Sequence, residues 1–304
     1  MNRAGRALAV VAAVLAVGDA TAPVNASAAG PPGVHPALRD DLVAYYDFDH
    51  PVPGDPALER DQGRSGTEIE LINGGVAQRV ADRAYPGGRK VLRTGPKNGV
   101  NDDWKAGIWS AGGVRTLRAF NATAGATTMG WFKRDMDGPA AGFNAIGLTG
   151  VLSGDSDGHA VRALLELIDV DGTLRLVALG RRIDGGDSQT FAADEDWRTL
   201  LPKGQWVHLA ATFDFTNGTM ALYRDGKPVP GFYTRDDDPW LVNGLGPHVT
   251  TATDPRGIKI GGSFPWPGSA DRNPCDCRMD ALMFLSRSLS SREVANQYRY
   301  MIRG

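Results

Sequence analysis

The chain has 304 residues, with 33 Lys and Arg against 35 Asp and Glu, a formal net charge of −2 and 42% hydrophobic residues. Charges this close to balance exclude an electrostatic grip on nucleic acid or anionic lipid. With 39 Gly, 19 Pro and little helical periodicity, the composition points to many short strands.

The first 28 residues read as an export signal. Arg3 and Arg6 precede an apolar stretch over 7–17 that is too short to span a bilayer, and Ala26-Ser27-Ala28 is a small-residue cleavage site. No later stretch is apolar enough to span a membrane, so the expected mature protein is secreted, without membrane insertion. Residues 29–40 read as a flexible leader, and 41–304 as one domain without linker, low-complexity tract or internal repeat.

Strands are predicted over 42–48, 68–72, 90–93, 127–134, 145–153, 159–170 and 173–180, where apolar residues run or alternate with period 2. The clearest is 205–214, in which Val207, Leu209, Ala211 and Phe213 share one face and Trp206, His208, Ala210 and Thr212 the other. Asn217-Gly218 and Asp225-Gly226 then place two tight turns around 219–224, and Asp171-Gly172 another, because these pairs tolerate the positive φ that two-residue hairpins demand. Strands at 256–261 and 277–285 follow. Ser290 and Glu293 have capping-box spacing and open one short helix over 292–301. Cys275 and Cys277, one residue apart, read as a disulfide in an exported chain, since neither a second pair nor a nearby His completes a metal tetrahedron.

Long stretches at 94–115, 135–144, 181–203, 232–255 and 262–276 read as irregular loops, which in a compact domain are usually functional. Five tryptophans fall in them, Trp104, Trp109, Trp197, Trp240 and Trp266, whereas Trp131 and Trp206 lie in strands and are expected to be structural.

The chain resembles the bacterial secreted form of the laminin-G-like, concanavalin A-like jelly-roll family. The resemblance rests on the opening strand ending Asp47-Phe48-Asp49, the loop Asp61 to Gly66, Trp131-Phe132-Lys133 and Trp206-Val207-His208. It continues through Leu222-Tyr223 with Asp225-Gly226, Ile258 to Gly262, and Arg278-Met279-Asp280 with Ser288-Leu289-Ser290. It spans 41–302 and implies an all-β antiparallel β-sandwich with one face concave. Lectins, carbohydrate-binding modules, adhesion modules and hydrolases share that fold, so it implies no single activity.

The resemblance also implies a structural Ca²⁺ near the junction of the first and last strands, with Asp49, Asp61 and Asp280 at matching positions. Jelly-roll glucanases carry a Glu-x-Asp-x-Glu strand, and Glu166, Asp169 and Asp171 break that spacing. Glu166 shares a predicted strand face with Arg162, either as a salt bridge or as an acid beside a bound sugar. His208 is a candidate general base, with a structural role as the simpler reading. Trp104, Trp109, Arg181, Trp197, Tyr233 and Trp240 have the chemistry of sugar binding, aromatic rings for the apolar face of a pyranose and Arg for its hydroxyls. The expected function is binding of a polysaccharide or glycoconjugate. The alternative is a glycoside hydrolase or polysaccharide lyase using Glu166, Arg162 and His208 in the groove.

Overall fold

A computed structural model describes residues 30–95, 104–121, 123–152, 161–181, 188–235, 254–262 and 273–304. In chain order the first strands are β1 (Leu42–Tyr46), β2 (Pro51–Val52), β3 (Asp55–Glu59), β4 (Ile69–Ile72), β5 (Arg79–Ala81) and β6 (Lys90–Thr94). Next come β7 (Lys105–Trp109), β8 (Gly125–Arg134), β9 (Ala145–Leu152), β10 (Val161–Val170), β11 (Thr173–Arg181) and β12 (Ser188–Ala193). The remainder supplies β13 (Val207–Asp214), β14 (Thr219–Arg224), β15 (Lys227–Val229), β16 (Gly231–Tyr233), β17 (Gly257–Ile260) and β18 (Cys277–Leu285). The described residues also form two α-helices, α1 (Trp197–Leu200) and α2 (Ser291–Arg303), and three short 3-10 turns.

The strands form two antiparallel sheets. One runs β15-β14-β13-β8-β18-β6-β5 with β1 on β18, and the other runs β16-β12-β11-β10-β9-β17-β7-β4-β3-β2. Alternation dictates which side chains meet between them. Val207, Leu209, Ala211 and Phe213 of β13 share one buried cluster with Ala163, Leu165 and Leu167 of β10. The all-β sandwich expected from the sequence is the fold.

The opposite face of β13 is not solvated. His208 is fully buried, and Ala210 joins Trp131, Tyr45 and Tyr85 in a second cluster closed by Val294 and Met301 of α2. That helix starts on the predicted capping box, in which Glu293 Oε2 accepts the Ser290 N–H at 2.9 Å. Its buried residues, Val294, Gln297 and Met301, recur at helical spacing on one stripe.

The segment expected as a flexible leader is docked from Gly30 onward. Val34 and Leu38 are buried in the same cluster, and the Gln297 side chain clamps the segment by accepting the His35 N–H at 2.8 Å and donating to the Gly33 carbonyl at 2.6 Å. Its apolar residues cover sheet surface that α2 leaves open, so the Gly and Pro content signals an irregular path rather than freedom. The signal over 1–28 lies outside the described residues.

Asp171-Gly172 and Asp225-Gly226 make the predicted two-residue turns, with φ of 51° and 78° and of 50° and 73°. The Asn217 turn is different. Residues 215–218 form a four-residue loop in which only Gly218 has positive φ, because the Asp214 carboxylate accepts the N–H groups of Thr216 and Asn217 and widens the turn. Two stretches read as loops contain strands. Lys105–Trp109 pairs with β4 and β17, and Ser188–Ala193 with β11 and β16, so neighbours on both sides supply the order that alternation does not announce. Cys275 and Cys277 are disulfide-bonded and buried at the start of β18.

Candidate ligand face and acidic corner

Period 2 turns a second set of side chains to the outer face of the ten-stranded sheet. The register aligns Glu166 of β10 with Val177 of β11, Val177 with Ala192 of β12, and Ala192 with Phe232 of β16. One residue pair along, Ile168 faces Arg175. Phe232 is 37% exposed at the edge of the row, and the Arg175 guanidinium stands 5.2 Å from its ring centroid. Arg175 is held there by donating to the carbonyls of Ala193 at 2.8 Å and Asp194 at 3.2 Å. An accessible ring beside a fixed guanidinium matches the flat, half-apolar surface of a sugar.

Further along this face Glu166 meets Lys259 of β17, with Nζ 2.9 Å from Oε2 and both side chains buried. Strand β9 runs between them, and its residues in register with Glu166 and Lys259 are Gly147 and Gly150. A Cβ at Gly150 would meet the Ala163 carbonyl at 2.5 Å. A Cβ at Gly147 would lie 3.0 Å from the Gly262 carbonyl, so both glycines sit under close neighbours.

The expected partner of Glu166 is thus wrong. Arg162 lies at a register shift between Val161 and Ala163, and its guanidinium sits 4.8 Å from the ring of Phe215 in the core. His208 lies on the outer side of the other sheet, so the whole thickness of the sandwich separates it from Glu166. Its ring contacts Trp131 at 5.5 Å and Tyr298 at 5.9 Å, neither nitrogen has a hydrogen-bond partner, and burial pushes its pKa down to about 3. The three candidate catalytic groups do not converge.

The expected sugar-binding residues are also dispersed. Trp197 is only 2% exposed, sandwiched between the guanidiniums of Arg134 at 4.6 Å and Arg198 at 4.7 Å. It is a core anchor of α1, which burial removes from stacking on any ligand. Trp109 is half-buried against Leu152, Leu164 and Leu179 on the outer face, and Trp104 has Arg93 at 5.6 Å from its ring. Tyr233 turns away from Phe232: its hydroxyl accepts the Met220 N–H at 2.9 Å and its ring meets Phe191 edge-on. Strands β7 and β16 lie six steps apart, about 29 Å at ~4.8 Å per strand. Trp109 and Tyr233 therefore serve no common small site. Trp240, Trp266 and the Arg181 side chain lie outside the described residues. Phe232 escaped the sequence reading, although the alternation of Gly231-Phe232-Tyr233 was a short strand signal beside a residue already singled out.

At the far end of the sheets Asp47, His50 and Glu59 bring ligand atoms within 4.8 Å of one another. Asp47 Oδ1 contacts His50 Nδ1 at 2.7 Å, and Arg79 Nε donates to Glu59 Oε2 at 2.9 Å. Asp280 is buried beside this corner. One of its oxygens accepts the Ala281 N–H, and Oδ2 has no hydrogen-bond partner. Burial raises the pKa of Asp280 well above the usual carboxylate range, and Asp47, Asp49 and Glu59 add to the effect. Burial and then Asp47 likewise raise that of Asp49. Phe48, just beyond β1, at φ 58° and Ala281, within β18, at φ 49° take a strained conformation for residues with side chains.

Asp49 and Asp280, two of the expected calcium ligands, lie close enough to Asp47 to feel its charge, but among the described residues it is Asp47, His50 and Glu59 whose ligand atoms come within 4.8 Å of one another. Asp61 does not join them in that role. Its oxygens accept from the N–H of Tyr45 at 2.8 Å and Gly63 at 2.6 Å and from the Ser65 hydroxyl at 2.6 Å, which orders its own loop.

A family model described as the concanavalin A-like lectin/glucanases superfamily (Laminin_G_3) matches residues 110–295. No curated protein matches. Among solved structures, Trypanosoma rangeli sialidase is similar with a TM-score of 0.53 at 16% identity, over 86% of this chain and 33% of the sialidase. Another is botulinum neurotoxin type C, whose cell entry depends on interaction with two ganglioside molecules. Its TM-score is 0.56 at 10% identity, over 88% of this chain and 53% of that one. The binding domain of botulinum neurotoxin DC, in complex with rat synaptotagmin II, gives 0.55 at 9% identity, over 87% and 52%. The chain therefore spans about a third of the sialidase and about half of each toxin chain, and these likenesses concern the fold.

Proposed function

The chain belongs to the concanavalin A-like lectin/glucanase superfamily, and from that premise we propose that it is a secreted protein that binds a polysaccharide or glycoconjugate on the outer face of its ten-stranded sheet. The observation that carries this reading is the exposed Phe232 ring beside the immobilised Arg175 guanidinium. Export through the signal over 1–28 would place that face in an extracellular setting. The ganglioside interaction of one structural neighbour is in keeping with it. We also propose that Ca²⁺, with Asp49 and Asp280 among its ligands, stabilises the corner where β1 and β18 meet.

Affinity electrophoresis against a polysaccharide panel tests the reading. The protein is expected to be retarded by at least one neutral glycan, and Phe232→Ala to weaken that retention roughly tenfold, the equivalent of about 1.4 kcal/mol. The same incubations are assayed for new reducing or unsaturated ends. Retention unchanged in Phe232→Ala overturns the site, and newly generated ends overturn a purely binding role.

A further inference from the structure

We propose a second binding site, for a carboxylate-bearing sugar unit, in the cleft between the last turn of α2 and the docked segment at 30–40. It lies on the side of the sandwich opposite Phe232 and does not depend on the reading given to that face. The cleft measures about 560 Å³, within the usual range for small-ligand sites. Arg299, Tyr300 and Arg303 form one wall, His35 the other, and Tyr85 the floor.

The cleft is built from fixed parts. Tyr85 is buried and stacked at 6.3 Å on Trp131. His35 is tied by its backbone to Gln297, and its Nδ1 accepts the Ala37 N–H at 3.2 Å, which leaves Nε2 to carry the proton and donate. The His35 ring meets Tyr300 edge-on at 5.4 Å, and Tyr300 remains 40% exposed.

Its side-chain charge is one-sided: no side chain lining the cleft is acidic, and Gly304 borders it with main chain alone. Arg299 donates to the Asn296 side-chain oxygen at 2.6 Å, a neutral partner, and Arg303 has no side-chain partner among the described residues. Cations in the last turn of a helix complement its dipole unaided. What distinguishes this turn is that two guanidiniums without an acidic side-chain partner among the described residues face a cleft that also offers a ring. Guanidinium binds carboxylate through paired charge-assisted hydrogen bonds, and Tyr300 can cover the apolar face of the same sugar.

Titration calorimetry of the full chain with a glucuronic-acid disaccharide and with its carboxyl-reduced neutral counterpart tests the assignment. The acidic probe is expected to bind at least about tenfold more tightly, since each charge-assisted contact is stronger than a neutral one. Arg299→Gln with Arg303→Gln should abolish that preference, while Arg292→Gln, an equal loss of charge on the same helix outside the cleft, should keep it. All three positions are exposed, so the variants are expected to fold. Equal affinity for the two probes, or a preference that survives the double substitution, overturns the site. Retention on neutral glycan, measured in the same variants, separates failure here from failure at Phe232.

Discussion

The two sheets bury ionisable groups in opposite ways. On the outer face of the ten-stranded sheet, Glu166 and Lys259 are buried together and bonded to each other. In the eight-stranded sheet, His208 is buried with no hydrogen-bond partner on either ring nitrogen, and one oxygen of Asp280 has none. A buried charge survives when paired, and an unpaired group gives up its charge instead. The first region therefore keeps its charges and is sensitive to losing a partner. The second holds neutral groups and is sensitive to pH and to an arriving cation.

The largest effect should come from breaking the pair. Lys259→Met leaves Glu166 as an uncompensated buried charge, a change that costs about 3–5 kcal/mol. Chemical denaturation should show it as a lower midpoint with an unchanged slope. Replacing both members, as Glu166→Leu with Lys259→Met, should recover most of that loss, because an apolar pair of similar volume is often neutral. If the double variant is no more stable than the single one, the pair is not the cause of the instability.

His208 supplies the contrasting test. Its native pKa of about 3 lies below the ordinary 6.5. Between those values the unfolded chain takes up a proton that the native ring refuses. Stability should therefore be full above pH 6.5 and fall by about 1.4 kcal/mol per pH unit below it, reaching a loss on the order of 4 kcal/mol near pH 3. Other groups titrate over the same range, so the diagnostic is a difference. Plotted against pH, the stability of wild type minus that of His208→Phe should slope in this window and be flat above it. A flat difference throughout would show that the ring is not held neutral.

These two regions also show how far the sequence could be read. The β13–β15 meander, the capping box at Ser290 and the sandwich itself were legible because each follows from local rules of alternation or turn chemistry. Lys259 as the partner of Glu166 was not, since the two sit on strands that become near neighbours only through β9, which lies between them. The docked segment was missed for a similar reason. A Gly- and Pro-rich stretch gives no sign that Val34 and Leu38 will pack into a cluster that also draws on Trp131 and on Val294 and Met301 of α2. Trp197 and Phe232 exchanged roles because a loop aromatic shows its size in sequence but not which way it points.

The smallest expected effect concerns the cation. With its carboxyl pKa raised by burial, Asp280 holds a proton that calcium must displace, so binding at this corner should strengthen as pH rises. Occupancy stabilises only the native state, by about 2.7 kcal/mol at a hundredfold excess over Kd. Thermal melts in millimolar calcium and in chelator, at pH 5 and at pH 7.5, should differ in midpoint by more at the higher pH. Asp280→Asn should erase the calcium shift, because the amide cannot ionise to meet the cation while it keeps the side chain's shape. Asp61→Asn should lower both melts together and leave their difference intact, since that carboxylate serves the N–H groups of Tyr45 and Gly63 rather than the corner. A calcium shift that disappears in Asp61→Asn and persists in Asp280→Asn would move the cation to the loop that Asp61 orders. No shift in the wild type at either pH would leave strain and burial as the whole account of the corner.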